Sequence, residues 1–145
     1  MPEFTGTYTH TLDSKGRVSV PAAYRRQLTG EGLHLNLGLD GCLVIYPPEK
    51  WESVKRELSR LSRGRGPERF FMRRFARYLR AVSLDAQGRI MIPAELLEKA
   101  GIEGEVVFLG QLDSIELWAP DRFDTASGEE ELSFEQVAED LGINI

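Results

Sequence analysis

The sequence predicts an α+β fold made of two pseudo-symmetric ββαββ-like half-units in one chain, with further helices between and after them. Two observations carry that expectation. The stretch Leu12-Asp13-Ser14-Lys15-Gly16-Arg17-Val18-Ser19-Val20-Pro21-Ala22 returns as Leu84-Asp85-Ala86-Gln87-Gly88-Arg89-Ile90-Met91-Ile92-Pro93-Ala94. Around both copies apolar and polar residues alternate with period two, as half-buried strands do. The frame of the repeat also continues downstream: Glu31-Gly32 matches Glu103-Gly104, Leu37-Gly38 matches Leu109-Gly110, and Leu43-Val44-Ile45-Tyr46 matches Ile115-Glu116-Leu117-Trp118. Pro48 and Trp51 align with Pro120 and Phe123 without a gap. This is the mark of internal duplication. Two copies are too few for a solenoid, so the halves are expected to pair about a pseudo-two-fold axis.

Within each copy the reading is strand, tight turn, strand, helix. Asp bonds its own backbone two residues on and Gly accepts positive φ, so Asp-x-x-Gly forms the loop. Beyond it Val18 and Val20 share one face, and Arg17 and Ser19 the other, which drives the arginine outward. Pro21 and Pro93 suit the first position of a helix, where no amide donor is needed.

The first strand is expected over 6–12, with Tyr8 and His10 on one face and Thr7, Thr9 and Thr11 on the other. A helix follows over 21–28, stopped by Thr29-Gly30. Leu33, Leu35, Leu37 and Leu39 alternate with His34, Asn36 and Gly38 in a half-buried strand, and Asp40-Gly41 turns the chain into a strand over 42–46. Trp51, Val54, Leu58 and Leu61 fall at helical spacing over 49–61. A second helix, over 67–79, carries Phe71, Phe75, Tyr78 and Leu79 on one stripe. The second unit repeats the pattern with strands at 81–84, 89–92, 105–110 and 114–118 and a helix over 93–100. A short helix over 121–125, a loose linker over 125–131, and a last helix capped by Ser133 and Gln136 and ended by Gly142 complete the chain. The expected division is a first unit over 7–49, a basic helical insertion over 50–80, a second unit over 81–123 and an acidic tail over 124–145.

At 145 residues the chain has length for one good core. No apolar run approaches the roughly 20 residues of a membrane span, and the start lacks the basic and apolar regions of a signal peptide. A cytoplasmic protein is expected. Cys42 is the only cysteine, which excludes an internal disulfide and a cysteine metal site; it reads as a buried apolar residue beside Leu43. The net charge of −5 is unevenly spread: residues 49–80 hold eleven basic and four acidic side chains, whereas residues 113–140 hold ten carboxylates against Arg122 alone. The molecule is electrically polarised.

The double Leu-Asp-x-x-Gly-Arg-x-x-x-Pro, Tyr46-Pro47 followed by Trp51, and Leu109-Gly110-Gln111 with Glu116-Leu117-Trp118 resemble the MraZ family, whose chains carry two tandem SpoVT-AbrB-type units. The resemblance covers nearly the whole chain. It implies a small β-barrel of the AbrB/MraZ type, assembled into a ring of subunits. It also implies a bacterial transcriptional regulator, cytoplasmic and nucleoid-associated, that binds short direct repeats in the promoter of the division and cell-wall gene cluster containing its own gene. Double-stranded DNA and further copies of the chain are the implied partners, with no cofactor, metal, membrane or small-molecule substrate.

Carried across, Asp13 and Arg17 match the first Asp-x-x-x-Arg motif and Asp85 and Arg89 the second. Arginine offers a planar fork for phosphate oxygens or a guanine edge, so the resemblance makes Arg17 and Arg89 DNA contacts, with Lys15, Gln87, Arg25 and Arg26 beside them. Asp13, Gly16, Asp85 and Gly88 structure the loops. From the residues alone, each Asp–Arg pair reads more readily as a loop-stapling ion pair that has nothing to do with DNA. The copies differ in charge: Lys15, Arg17, Arg25 and Arg26 oppose Asp13, whereas Arg89 and Lys99 oppose Asp85, Glu95 and Glu98. The first copy is therefore expected to carry more of the affinity.

Two readings of the basic insertion stand: a second DNA contact, or a solvated face whose arginines meet the acidic tail of the same or a neighbouring subunit, the latter being favoured. Phe70, Phe71, Phe75 and Tyr78 read as core or subunit interface. The alternative function is a protein-interaction, antitoxin-like module. An enzyme is disfavoured, because His10 and His34 lack ligand-spaced partners and no P-loop or nucleophile signature is present. The carboxylates 129–131 read as solvated charge.

Overall fold

Val18 and Val20 from the first copy and Ile90 and Ile92 from the second are at most 2% exposed, and their shared burial brings the two repeats together. The computed structural model describes residues 2–127 and 132–145. Its strands are β1 (Thr7–Thr11), β2 (Arg17–Ser19), β3 (Leu33–Leu37), β4 (Leu43–Tyr46), β5 (Arg80–Val82), β6 (Arg89–Met91), β7 (Glu105–Gly110) and β8 (Ile115–Trp118). The helices are α1 (Ala22–Arg25), α2 (Pro48–Ser59), α3 (Gly66–Tyr78), α4 (Ala94–Ala100), α5 (Pro120–Ser127) and α6 (Phe134–Leu141). The fold is α+β, as expected.

Six strands form one antiparallel sheet in the order β1-β7-β8-β4-β3-β5, while β2 and β6 pair with each other in a separate two-stranded ribbon. Exchanging β1, β3 and β4 for their counterparts β5, β7 and β8 turns the sheet order into its own reverse. Alternation sends Leu33, Leu35, Leu43, Ile45, Val106, Phe108, Ile115 and Leu117 to one face of the sheet, where they meet Val18, Ile90, Tyr24 and Leu96 in a single apolar core. The opposite face carries α2 and α3 over β3 and β4, and α5 over β7, where Cys42, Val107 and Trp118 are buried with Phe123.

Several expectations shift. Pro21 and Pro93 stand one residue before their helices, with ψ of 137° and 142°, instead of inside the first turn. Their fixed φ suits either place, but their carbonyls accept the first helical amides, Tyr24 N and Leu96 N, as an N-cap carbonyl does. The helix expected over 21–28 is regular only to Arg25, because Gln27 and Leu28 bond three residues back, to Tyr24 and Arg25, and tighten the chain. Asn36, expected on a polar face, is fully buried, since α3 covers that side of β3. Leu39 lies past the end of its strand and is 80% exposed. Residues 125–127 belong to α5 and not to a linker; the carboxylates 129–131 lie outside the described residues. The last helix starts and stops as expected, with Ser133 Oγ accepting Gln136 N at 3.4 Å and Gly142 in the left-handed region.

Candidate nucleic-acid interface

The ribbon is where the two repeats meet. Arg17 lies opposite Met91, Val18 opposite Ile90, and Ser19 opposite Arg89. With Val18 and Ile90 buried at 1% exposure, the strand pleat turns Arg17, Ser19, Arg89 and Met91 to the other face. The loops are locked together at the ribbon's ends, because Val20 N donates to Gly88 O at 3.0 Å and Ile92 N to Gly16 O at 2.8 Å.

Both loops are built the same way. Asp13 Oδ1 accepts the amides of Lys15 (2.9 Å) and Arg17 (2.8 Å), and Asp85 Oδ1 accepts those of Gln87 (2.8 Å) and Arg89 (3.0 Å). The second carboxylate oxygen of each takes the Nε of the arginine four residues on, at 2.8 Å for Arg17 and 2.9 Å for Arg89. The amide of Arg17 foremost, with its guanidinium and the Lys15 amide, holds the Asp13 carboxyl below its ordinary value; the amide of Arg89 leads the same effect on Asp85. Gly16 and Gly88 take φ of +82° and +76° to close these turns. A Cβ on Gly16 would stand 2.9 Å from Ile92 O, and one on Gly88 would fall on the Arg25 guanidinium.

The consequence is chemical. Each aspartate engages the guanidinium of its arginine through Nε alone, which fixes the guanidinium plane and leaves the terminal nitrogens without a hydrogen-bonded partner among the described residues. Two oriented forks therefore project from one ribbon, with side chains 30% and 26% exposed. That is the geometry for bidentate recognition of phosphate or a guanine edge.

The other candidates spread around this centre. Lys15 and Gln87 are exposed at equivalent loop positions, Arg26 is exposed at the C-terminal cap of α1, and Arg25 is half-buried with Nη1 donating to Gln87 O at 3.2 Å. Ser19 and Met91 share the outward face but were not singled out as site residues. Alternation alone placed them there, and Met91, at 54% exposure, offers an apolar contact of the kind a thymine methyl accepts.

Part of the charge of the basic insertion is met by the two units that flank it. Arg77 and Arg80 meet Glu95 at 3.0 and 3.3 Å, and Arg74 donates to the carbonyls of Leu37 and Gly38. Among the described residues no ion pair joins them to the C-terminal helix. His34 stacks on Trp51 with ring centroids 4.3 Å apart, and His10 packs edge-on against Phe108. No group of three or more His, Cys, Asp or Glu side chains suited to a metal occurs among the described residues, and none of their helices is long and apolar enough to cross a membrane.

Fold and site define a chain of two tandem hairpin-and-helix units joined through an Asp-x-x-x-Arg ribbon. The family described as "MraZ protein, putative antitoxin-like" matches residues 4–74 and 79–142. The chain belongs to the MraZ family. It is 40% identical over 136 residues to a protein of Thermoanaerobacter sp. (strain X514), covering 94% of each chain. To a protein of Pelotomaculum thermopropionicum it is 39% identical over 145 residues, 98% of this chain and 99% of the other. A third, from Heliobacterium modesticaldum, is 39% identical over 138 residues, 95% and 96% of the two chains. All three carry the name "Transcriptional regulator MraZ".

Proposed function

We propose that this protein is a non-enzymatic transcriptional regulator that binds double-stranded DNA through the outward face of the β2–β6 ribbon. The observation that carries the reading is the pair of arginines held by aspartates in matching geometry on that single ribbon. A two-stranded ribbon fits the major groove, which is about 12 Å wide. Sheet and ribbon, sharing one core, act as a small barrel whose two units, 7–49 and 81–123, present their loops together. The names of the relatives support the regulatory role.

The finer reading is that copies of the chain assemble into a ring that engages short direct repeats in the promoter of the division and cell-wall gene cluster, its own gene included. One ribbon offers few contacts, and joining several raises affinity without new ones. Such a protein works in the cytoplasm at the nucleoid.

The test is a mobility-shift titration of the purified protein on its own promoter. Retention is expected, is lost when the repeats are scrambled, and is lost again in the double variant Arg17→Ala/Arg89→Ala. Equal retention of scrambled DNA reduces the reading to non-specific phosphate attraction. Unchanged retention by the double variant removes the ribbon from the interface, and a chain that binds no DNA but holds a protein partner favours the antitoxin-like alternative.

A further inference from the structure

Two complementary surfaces lie open on the same chain. Between α2, α3 and the outer face of the sheet runs a cleft of about 650 Å³, its walls formed chiefly by Tyr46, Val54, Leu58, Phe71 and Phe75. Phe71, at its mouth, is 48% exposed. At the other end of the chain, α6 places Phe134, Val137, Ala138 and Leu141 at the i, i+3, i+4, i+7 spacing of one helical stripe, with Glu135, Gln136, Glu139 and Asp140 on the opposite side. Phe134 and Leu141 are 61% and 66% exposed. A helix of eight residues gains little from its own hydrogen bonds, so an apolar stripe on so short a segment is most useful against a second surface.

We propose that α6 of one copy docks, apolar face inward, in the α2–α3 cleft of a second copy of this chain. Charge favours the match. The helical insertion over 49–80 holds eleven basic residues against four acidic, whereas the described tail from 132 onward carries Glu135, Glu139 and Asp140 and no basic residue. The cleft lining itself is balanced, with Lys50 and Arg74 set against Glu57 and Glu116. Long-range attraction between the helices and the tail therefore steers the encounter, and apolar fit holds it.

A second copy is the occupant because helix and cleft are both open in one folded chain, so exchange between copies covers both. The contact is also head-to-tail, since it joins two different patches. Repeated around an axis, such a contact closes a ring. The inference thus rests on the self-assembly part of the function proposed above and supplies its joint. It needs no DNA, so it can fail while the ribbon's role stands.

The experiment uses the full chain. In native mass spectrometry across a dilution series, Phe134→Glu/Leu141→Glu and, separately, Phe71→Glu are each expected to raise the concentration of half-dissociation by roughly tenfold or more. All three side chains are exposed, so circular dichroism should be unchanged. Chains carrying Leu141→Cys are then mixed with differently tagged chains carrying Leu61→Cys under mild oxidation, and a disulfide joining the two tags is expected. If the mixed chains form no such bond while a single chain carrying both Leu61→Cys and Leu141→Cys closes one within itself, the helix covers its own cleft and the proposal is overturned. Absence of any such bond, or assemblies as stable as the parent in both glutamate variants, also overturns it. A monomeric parent protein removes ring and joint together, while its mobility shift still reports on the ribbon.

Discussion

The guanidinium of Arg25 donates to the carbonyl of Gln87 at 3.2 Å, so the first helix of one repeat stands on the loop of the other. Along the chain Arg25 belongs to the first copy. In space it supports the second, filling the position where a Cβ on Gly88 would project. Arg25→Ala should therefore loosen the second loop as well as remove a charge. The expected outcome is weaker promoter retention together with amide chemical-shift changes at Gln87, Gly88 and Arg89. Shift changes confined to residues 22–28 would show that the contact does not hold the loop.

The same crossing redistributes charge between the turns. The first loop has Lys15 and Arg17 against Asp13; the second, once Arg25 is placed on it, has Arg89 and Arg25 against Asp85. Each loop taken alone then carries one net positive charge, but Arg26 stays with the first copy and Glu95 and Glu98 with the second, so the crossing of Arg25 narrows the advantage of the first copy without removing it. Arg17→Ala is therefore still expected to weaken DNA binding more than Arg89→Ala, by a margin smaller than chain order alone suggests. Each should lower the slope of log affinity against log salt by about 1 per engaged copy if the contact is to phosphate. A larger loss from Arg89→Ala would overturn the ranking.

Acid should open the loops before it unfolds the core. Both aspartate carboxyls lie below their ordinary value of 3.8 in the folded chain. Groups depressed in this way stabilise the fold at pH above the unfolded value, and the contribution is lost as pH falls through the lower folded values. Carbon-detected NMR titration should place the Asp13 and Asp85 midpoints below 3.8, with the amides of Lys15, Arg17, Gln87 and Arg89 moving in step. Midpoints at or above the ordinary value would mean that the amide cradle is not formed in solution.

Much of this was legible because it is local. Asp-x-x-Gly dictates its own turn, period two dictates which side of a strand is wet, and the duplication dictates that whatever holds for Asp13 and Arg17 holds for Asp85 and Arg89. What was not legible depends on the partner across space. Nothing in residues 22–28 announces that Arg25 reaches Gln87. Nothing in the alternation of β3 says that α3 will cover Asn36, and a proline suits an N-cap as well as a first turn, so Pro21 and Pro93 could be misplaced by one residue.

Cys42 illustrates a buried group whose inertness follows from its surroundings. It is 1% exposed, packed with Val107 and Trp118. Burial first, then the nearby carboxylates of Glu116 and Asp40, push its thiol up to about 12. At pH 8 the native protein should react with a thiol reagent such as dithionitrobenzoate only on the timescale of unfolding, and rapidly in denaturant. Prompt native reactivity would show that the α5 side of the sheet opens readily.

Asn36 makes the strongest case for a polar group placed to join two elements. Its Nδ2 donates to Phe75 O at 3.0 Å and its Oδ1 accepts Leu37 N at 2.8 Å, all within a fully buried side chain. Phe75 lies in the last turn of α3, where carbonyls lose their helical partners, so the side chain satisfies an orphan acceptor while pinning the helix to β3. Arg74 reinforces the join through the carbonyls of Leu37 and Gly38 at 2.8 and 3.2 Å. Replacing Asn36 by leucine keeps the branched outline of the side chain but strands the Phe75 carbonyl, at a cost of about 1–3 kcal/mol. Chemical denaturation at one fixed protein concentration should show that loss, and a leucine variant as stable as the parent would mean that the apolar gain outweighs the hydrogen bonds.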